Sequence, residues 1–143
     1  MRPLKTLFVV ADGGRARWIR RSETADDFVT VHELTAAPDT RGEPDGVAFE
    51  GSSGQRFNIG EKNDAVQQHR LRFAIEVAKA INVEVTAGRV ERLALVAPAR
   101  MLTAIRERLC PMASAKLART LNKDLTKTPD HALGTRLREL ERG

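Results

Sequence analysis

Three stretches carry residue types and spacings that could do chemistry. The first is Arg15-Ala16-Arg17-Trp18-Ile19-Arg20-Arg21. On a strand, alternation places Arg15, Arg17 and Arg21 on one face, with Ala16 and Trp18 on the other. Arginine beside an aromatic ring suits RNA, because guanidinium groups pair with phosphates and the ring stacks on a base. A solvated strand face with Trp18 turned into a core accounts for the same residues. The second stretch, Lys123-Asp124-Leu125-Thr126-Lys127-Thr128-Pro129, leads into a helix whose N-terminus, with lysines nearby, could hold an anion. A simple cap and turn is the plainer reading. The third is Gly51-Ser52-Ser53-Gly54-Gln55-Arg56-Phe57, a small-residue turn ending in Gly-Gln. Such a turn is either an ordinary loop or one that works by aiming backbone amides and the Gln55 side chain. Arg56 beside it, and Arg100 at the start of a later helix, join Arg15, Arg17, Arg20, Arg21, Lys123 and Lys127 as candidate ligand-binding cations.

Other chemistries are weakly supported. His32, His69 and His131 are far apart, and no paired His or Cys spacing suggests a metal site. The single cysteine, Cys110, allows no internal disulfide and reads as a small buried apolar residue. No nucleophile-elbow, dinucleotide or P-loop pattern occurs, and Asp12-Gly13-Gly14 reads as a hairpin turn. No cofactor and no metal are expected.

The chain has 143 residues, 41% of them apolar, and a formal net charge of +5. That suits one domain with one core. The charge is uneven: residues 1–63 hold 9 Lys/Arg and 10 Asp/Glu, whereas residues 64–143 hold 15 and 9. A basic C-terminal half is compatible with phosphate binding. No apolar run approaches the roughly 18 residues of a membrane span. The apolar stretch Leu7–Ala11 is shorter than the core of a signal peptide and reads as a buried strand, so a cytoplasmic protein with no membrane partner is expected.

The elements that must position these residues follow from periodicity. Leu4–Ala11 is a continuous apolar run, as in a central strand covered on both faces. Ala16–Arg21 and Phe28–Leu34 extend it into an antiparallel meander. Thr35–Asn63 is punctuated by glycine and proline, and a long mobile loop is expected at about 36–63. Asp64 reads as a helix N-cap with Gln67 as its capping-box partner. Val66, Phe73, Ala74, Val77, Ala78 and Ile81 form the apolar stripe of that helix, and Gly88 marks its exit. Leu93–Ala97 is a second buried strand. Pro98 suits a first helical position, before a helix faced by Met101, Leu102, Ile105 and Leu109. Pro111 ends it, with a short helical turn through Ala115. Ala118–Leu121 reads as a last strand. Thr128-Pro129 then supplies an N-cap and first-turn residue for a helix carrying Leu133, Leu137 and Leu140. The order β-β-β-α-β-α-β-α implies a mixed sheet with helices on its faces.

Together, Val10–Arg21, Arg72–Ile81, Leu93–Leu109 and Asn122–Leu133 resemble, in order, the bacterial host-attachment protein family, described as required for attachment to host cells. One departure is Pro98-Ala99-Arg100, where that family more often has two prolines before the arginine. The family is similar in turn to the middle domain of eukaryotic and archaeal peptide release factors. The resemblance implies a three-layer fold: a five-stranded mixed sheet in order 3-2-1-4-5, strand 2 antiparallel, with helices on both faces. It also implies that Gly51–Gln55 stands where that domain keeps its Gly-Gly-Gln loop, which hydrolyses the peptidyl-tRNA ester. Here the loop reads Ser53-Gly54-Gln55. A serine held in a left-handed conformation would cost about 1–2 kcal/mol.

The expectation is a release-factor-like, non-enzymatic factor associated with RNA or the ribosome. The alternatives are an indirect role in host attachment and a weak peptidyl-tRNA hydrolase centred on Gly54 and Gln55.

Overall fold

The computed structural model describes residues 5–22, 27–36 and 59–142. Strands β1 (Thr6–Ala11), β2 (Arg15–Arg21) and β3 (Phe28–Thr35) precede helix α1 (Ile59–Thr86). Then come β4 (Arg92–Val96), α2 (Ala99–Arg108), α3 (Pro111–Lys116), β5 (Leu117–Leu121) and α4 (Asp130–Arg142). The five strands form one sheet in the order β3-β2-β1-β4-β5. β2 runs antiparallel to both its neighbours, whereas β1 pairs in parallel with β4, and β4 with β5. This is the strand order and direction the resemblance implies.

The apolar run of β1 is continuous because both of its faces are covered. Leu7, Val9 and Ala11 belong to the larger core, formed with Phe73, Val77 and Ile81 of α1 and Met101 and Ile105 of α2. Phe8 and Val10 point the other way, into a core closed by Leu133 and Leu137 of α4. Phe8 meets Phe28 edge-on at 5.4 Å. Trp18 is 2% exposed on the α1 side and meets His32 edge-on, also at 5.4 Å. Helices therefore lie on both faces of the sheet, with α1, α2 and α3 on one and α4 on the other.

Several boundaries differ from the periodicity reading. α1 begins at Ile59, so Asp64 lies inside the helix rather than at its N-cap. The apolar stripe sets which face is buried but not where the helix starts, and the helical backbone continues upstream of the stripe. Pro98 stands at the N-cap of α2, extended at φ −60 and ψ 154, instead of at its first helical position. Pro111 opens α3 as well as following α2. At α4 the Pro129 carbonyl accepts from Leu133 N at 2.8 Å, so Pro129, not Thr128, stands at the helix entrance.

α1 ends as its glycine predicts. Gly88 has φ +80, Arg89 N donates to Glu84 O, and Gly88 N donates to Val85 O, the two bonds of a Schellman cap. Asn82, near that end, ties α1 to the α2–α3 junction. Its Nδ2 donates to Arg108 O at 3.2 Å, and its Oδ1 accepts from Cys110 N at 2.9 Å. β3 forms one edge of the sheet. Its pairing with β2 shifts between Trp18 and Ile19, leaving Val31 as an extra residue, 53% exposed. A bulge of this kind twists an edge strand and discourages pairing with another chain.

Phe73 is 1% exposed in the larger core. Phe73→Ala is expected to lower unfolding stability by about 3–5 kcal/mol in a urea titration, the usual cost of an aromatic cavity. A loss under 1 kcal/mol, on the same scale, would mean that α1 does not pack on the sheet as described.

Candidate functional site

The site is built at the carboxyl ends of β1, β4 and β5. β1 delivers Asp12 there, and the chain must reverse at once into β2. Asp12 N donates to Arg15 O at 2.8 Å, closing a two-residue turn of Gly13 and Gly14. Asp12 Oδ1 accepts from Gly14 N and Arg15 N, both at 2.8 Å. Neither turn glycine has a positive φ. Gly13 gives room instead: a Cβ there would lie 2.9 Å from Cγ and Nε of Arg70, which packs over the turn from α1 and would have to shift.

The β5–α4 loop is tied to the same turn. The Thr126 hydroxyl oxygen lies 2.7 Å from Asp12 Oδ2 and 2.8 Å from Asp124 Oδ1. A hydroxyl has one proton, so it serves one of these carboxylates at a time. Thr126 N also donates to Asp124 Oδ1 at 3.2 Å, and Thr126 is 1% exposed. From β2, Arg17 Nη1 donates to the carbonyls of Thr126 and Thr128 at 3.1 and 2.6 Å. Its Nε and Nη2 donate to Thr30 Oγ1.

Between these loops and two helices lies a cleft of about 1000 Å3. The Asp12–Gly14 turn forms one side of it and residues 66–71 of α1 another. The start of α2 and Asp124 complete the lining. Its wall is largely apolar, from Val66, Leu71, Met101 and Ala104. Arg70 and Arg100, both exposed, supply positive charge from the two helices. The Pro98 cap of α2 makes no side-chain hydrogen bond, and no acidic residue lies in the first turn. Among the described residues no group of three His, Cys, Asp or Glu side chains is placed to hold a metal.

The sequence candidates separate into three places. Arg15, Arg100, Lys123 and Lys127 are exposed at the carboxyl end of the sheet, and of these Arg100 lines the cleft. Arg15 also meets Glu33 at 3.2 Å, an exposed pair that contributes little. Arg20 and Arg21 lie at the opposite end of β2. Arg20 Nη1 donates to Arg89 O at 3.1 Å, and its Nη2 pairs with Glu84 at 3.3 Å. Arg21 pairs with Glu141, and its guanidinium lies 4.9 Å from the centre of the Phe28 ring. Arg17 is a correction to the sequence reading. It is 5% exposed and occupied by carbonyls of the β5–α4 loop, so it braces the fold and does not face an external phosphate. Gly54, Gln55 and Arg56, with the rest of Gly51–Phe57, lie outside the described residues.

Periodicity missed four residues of this site. Arg70 is an exposed helical residue with no signal of its own. Asp12 reads as a turn residue, which it is, but its second oxygen is committed to a residue 114 positions away. The Asp124-x-Thr126 spacing does carry an Asx-turn signal.

An open mixed sheet with a cleft at the carboxyl ends of its parallel strands defines an α/β domain of the kind that binds ligands there. The chain belongs to the family described as protein required for attachment to host cells, whose model matches residues 7–137. No curated protein matches it. Among solved structures it is similar to the type II variant of the Aquifex aeolicus Ppx/GppA phosphatase. That match has 12% identity and a TM-score of 0.42, and it covers 84% of this chain and 36% of the phosphatase chain. No described helix is long and apolar enough to cross a membrane.

Thr126→Val keeps the shape of the side chain but removes the hydroxyl that Asp12 Oδ2 accepts from. It is expected to cost about 1–3 kcal/mol of unfolding stability, and Thr126→Ser about 1 kcal/mol or less. Chemical denaturation of the two variants checks this. Equal stability of Thr126→Val and the wild type would show that the hydroxyl does not hold the loops together.

Proposed function

We propose that the protein is a release-factor-like, non-enzymatic factor that associates with RNA or the ribosome in the cytoplasm through the carboxyl end of its sheet. One observation carries this reading. Arg15, Arg70, Arg100, Lys123 and Lys127 are exposed cations from separate segments, and they all gather at that end. At the other end of β2, Arg20 and Arg21 are engaged by Glu84 and Glu141. A set of exposed cations on loops and helices at one end suits a flexible polyphosphate chain, because each contact releases a counterion and the geometry of any one is undemanding. The family description favours a second reading, in which the protein supports attachment to host cells indirectly.

Binding to a single-stranded RNA is expected to weaken as salt rises, with log K falling against log salt by about 0.7 for each phosphate neutralised. The double variant Lys123→Ala/Lys127→Ala should bind more weakly and with a shallower slope, by about one to one and a half. Fluorescence anisotropy over a salt series reads both. Sedimentation with ribosomes at low and high salt tests the partner. If the protein neither co-sediments at low salt nor binds RNA, the reading fails.

A further inference from the structure

The cleft combines an apolar wall with a few converging polar groups, and surface phosphate contacts alone do not require that wall. Val66 and Leu71 are 46% and 42% exposed on α1, and both line the cleft opposite Met101 and Ala104. Arg70 and Arg100 add cations from the same two helices. The two carboxylates in the lining, Asp12 and Asp124, are both directed to Thr126, and Asp12 also accepts two turn amides. Their charge is thereby partly met within the protein. At about 1000 Å3 the cleft lies at the upper end of small-ligand sites, which span roughly 300–1,000 Å3.

We propose that this cleft binds a nucleoside phosphate, with the phosphate on Arg70 and Arg100 and the base against the apolar wall. Guanidinium groups match phosphate oxygens in charge and in fork geometry. A flat heteroaromatic base suits apolar walls, and its edge presents donors and acceptors together. Gln67, Gln68 and His69 line the same cleft and offer both kinds of group. A hydrocarbon tail would leave those amides without partners, which disfavours an acyl anion. The missing Cβ at Gly13 leaves room for Arg70 to lie directly over the β1–β2 turn at the cleft wall. The proposal rests on the RNA reading above and deepens it. The nucleotide is either one unit of a bound RNA or a free mononucleotide, and the chemistry of recognition is the same.

The test uses the full chain, with AMP and GMP titrated by calorimetry and a single-stranded RNA octamer by anisotropy. AMP or GMP should bind at low salt and compete with the octamer, while inorganic phosphate competes more weakly. Arg70→Gln should weaken AMP binding about tenfold, the loss of a charge-assisted hydrogen bond. Leu71→Ala, at a position 42% exposed, should weaken it as well. AMP binding without octamer binding keeps the cleft proposal, identifies the source as a free nucleotide and overturns the RNA reading. Octamer binding that AMP does not compete, and that Arg70→Gln and Leu71→Ala leave unchanged, overturns the cleft proposal and leaves the RNA reading standing. Inorganic phosphate competing as well as AMP overturns the nucleoside part. No binding of either ligand overturns both readings.

Discussion

The fold depends on how the β5–α4 loop is held at the carboxyl end of the sheet. The chain has to pass from β5 to α4, which lies on the face opposite α1, α2 and α3. It does so through a loop that draws Thr126 into the interior. A buried carbonyl without a donor costs about 1–3 kcal/mol, so the loop needs partners. Arg17 supplies them from the middle of β2, donating to the carbonyls of Thr126 and Thr128. Asp12 supplies the second tie, through the Thr126 hydroxyl. Arg17 stands on β2, and Asp12 directly follows the central strand β1, so neither can shift without disturbing the sheet. The second face can therefore be closed by Leu133 and Leu137 of α4.

The same ties shape the binding end. Asp12 spends its carboxylate on organising the β1–β2 turn and on the β5–α4 loop, and so it serves the cleft as structure. The loop that Arg17 braces carries Lys123 and Lys127, and the turn that Asp12 closes carries Arg15. Arginines of one short strand thus end in three roles. Arg15 is exposed and pairs with Glu33, Arg17 is an internal brace, and Arg20 and Arg21 are surface clamps to α1 and α4. The clamps use partly exposed ion pairs, which contribute little individually, and hydrogen bonding and ring contact add to them.

Much of the fold was legible because its signals are local. The unbroken apolar run of β1, the stripe on α1 and the glycine at residue 88 each state one fact about solvent exposure or backbone conformation. The structure repeats them in burial and in the φ of Gly88. Helix starts were less legible. An apolar stripe marks the buried face only, and so the reading placed the start of α1 at Asp64 while the backbone is helical from Ile59. Proline at 98 and at 129 signals a boundary without saying on which side of it the first helical residue falls.

The binding end shows where local signals stop. The types and spacing of residues alone determined the strand and helix order and the basic character of the C-terminal half. They could not distinguish Arg15 from Arg17, since both lie on the same face of one strand. Only the tertiary structure decided that Arg17 is covered by the β5–α4 loop, more than a hundred residues away, while Arg15 stays at the surface. It also decided that Asp12, Arg70, Arg100 and Asp124 meet around one cleft. Periodicity reports which side of an element is buried, whereas a site is made by which elements the sheet order brings together. That order is settled by long-range pairing and packing, which no short window of sequence contains.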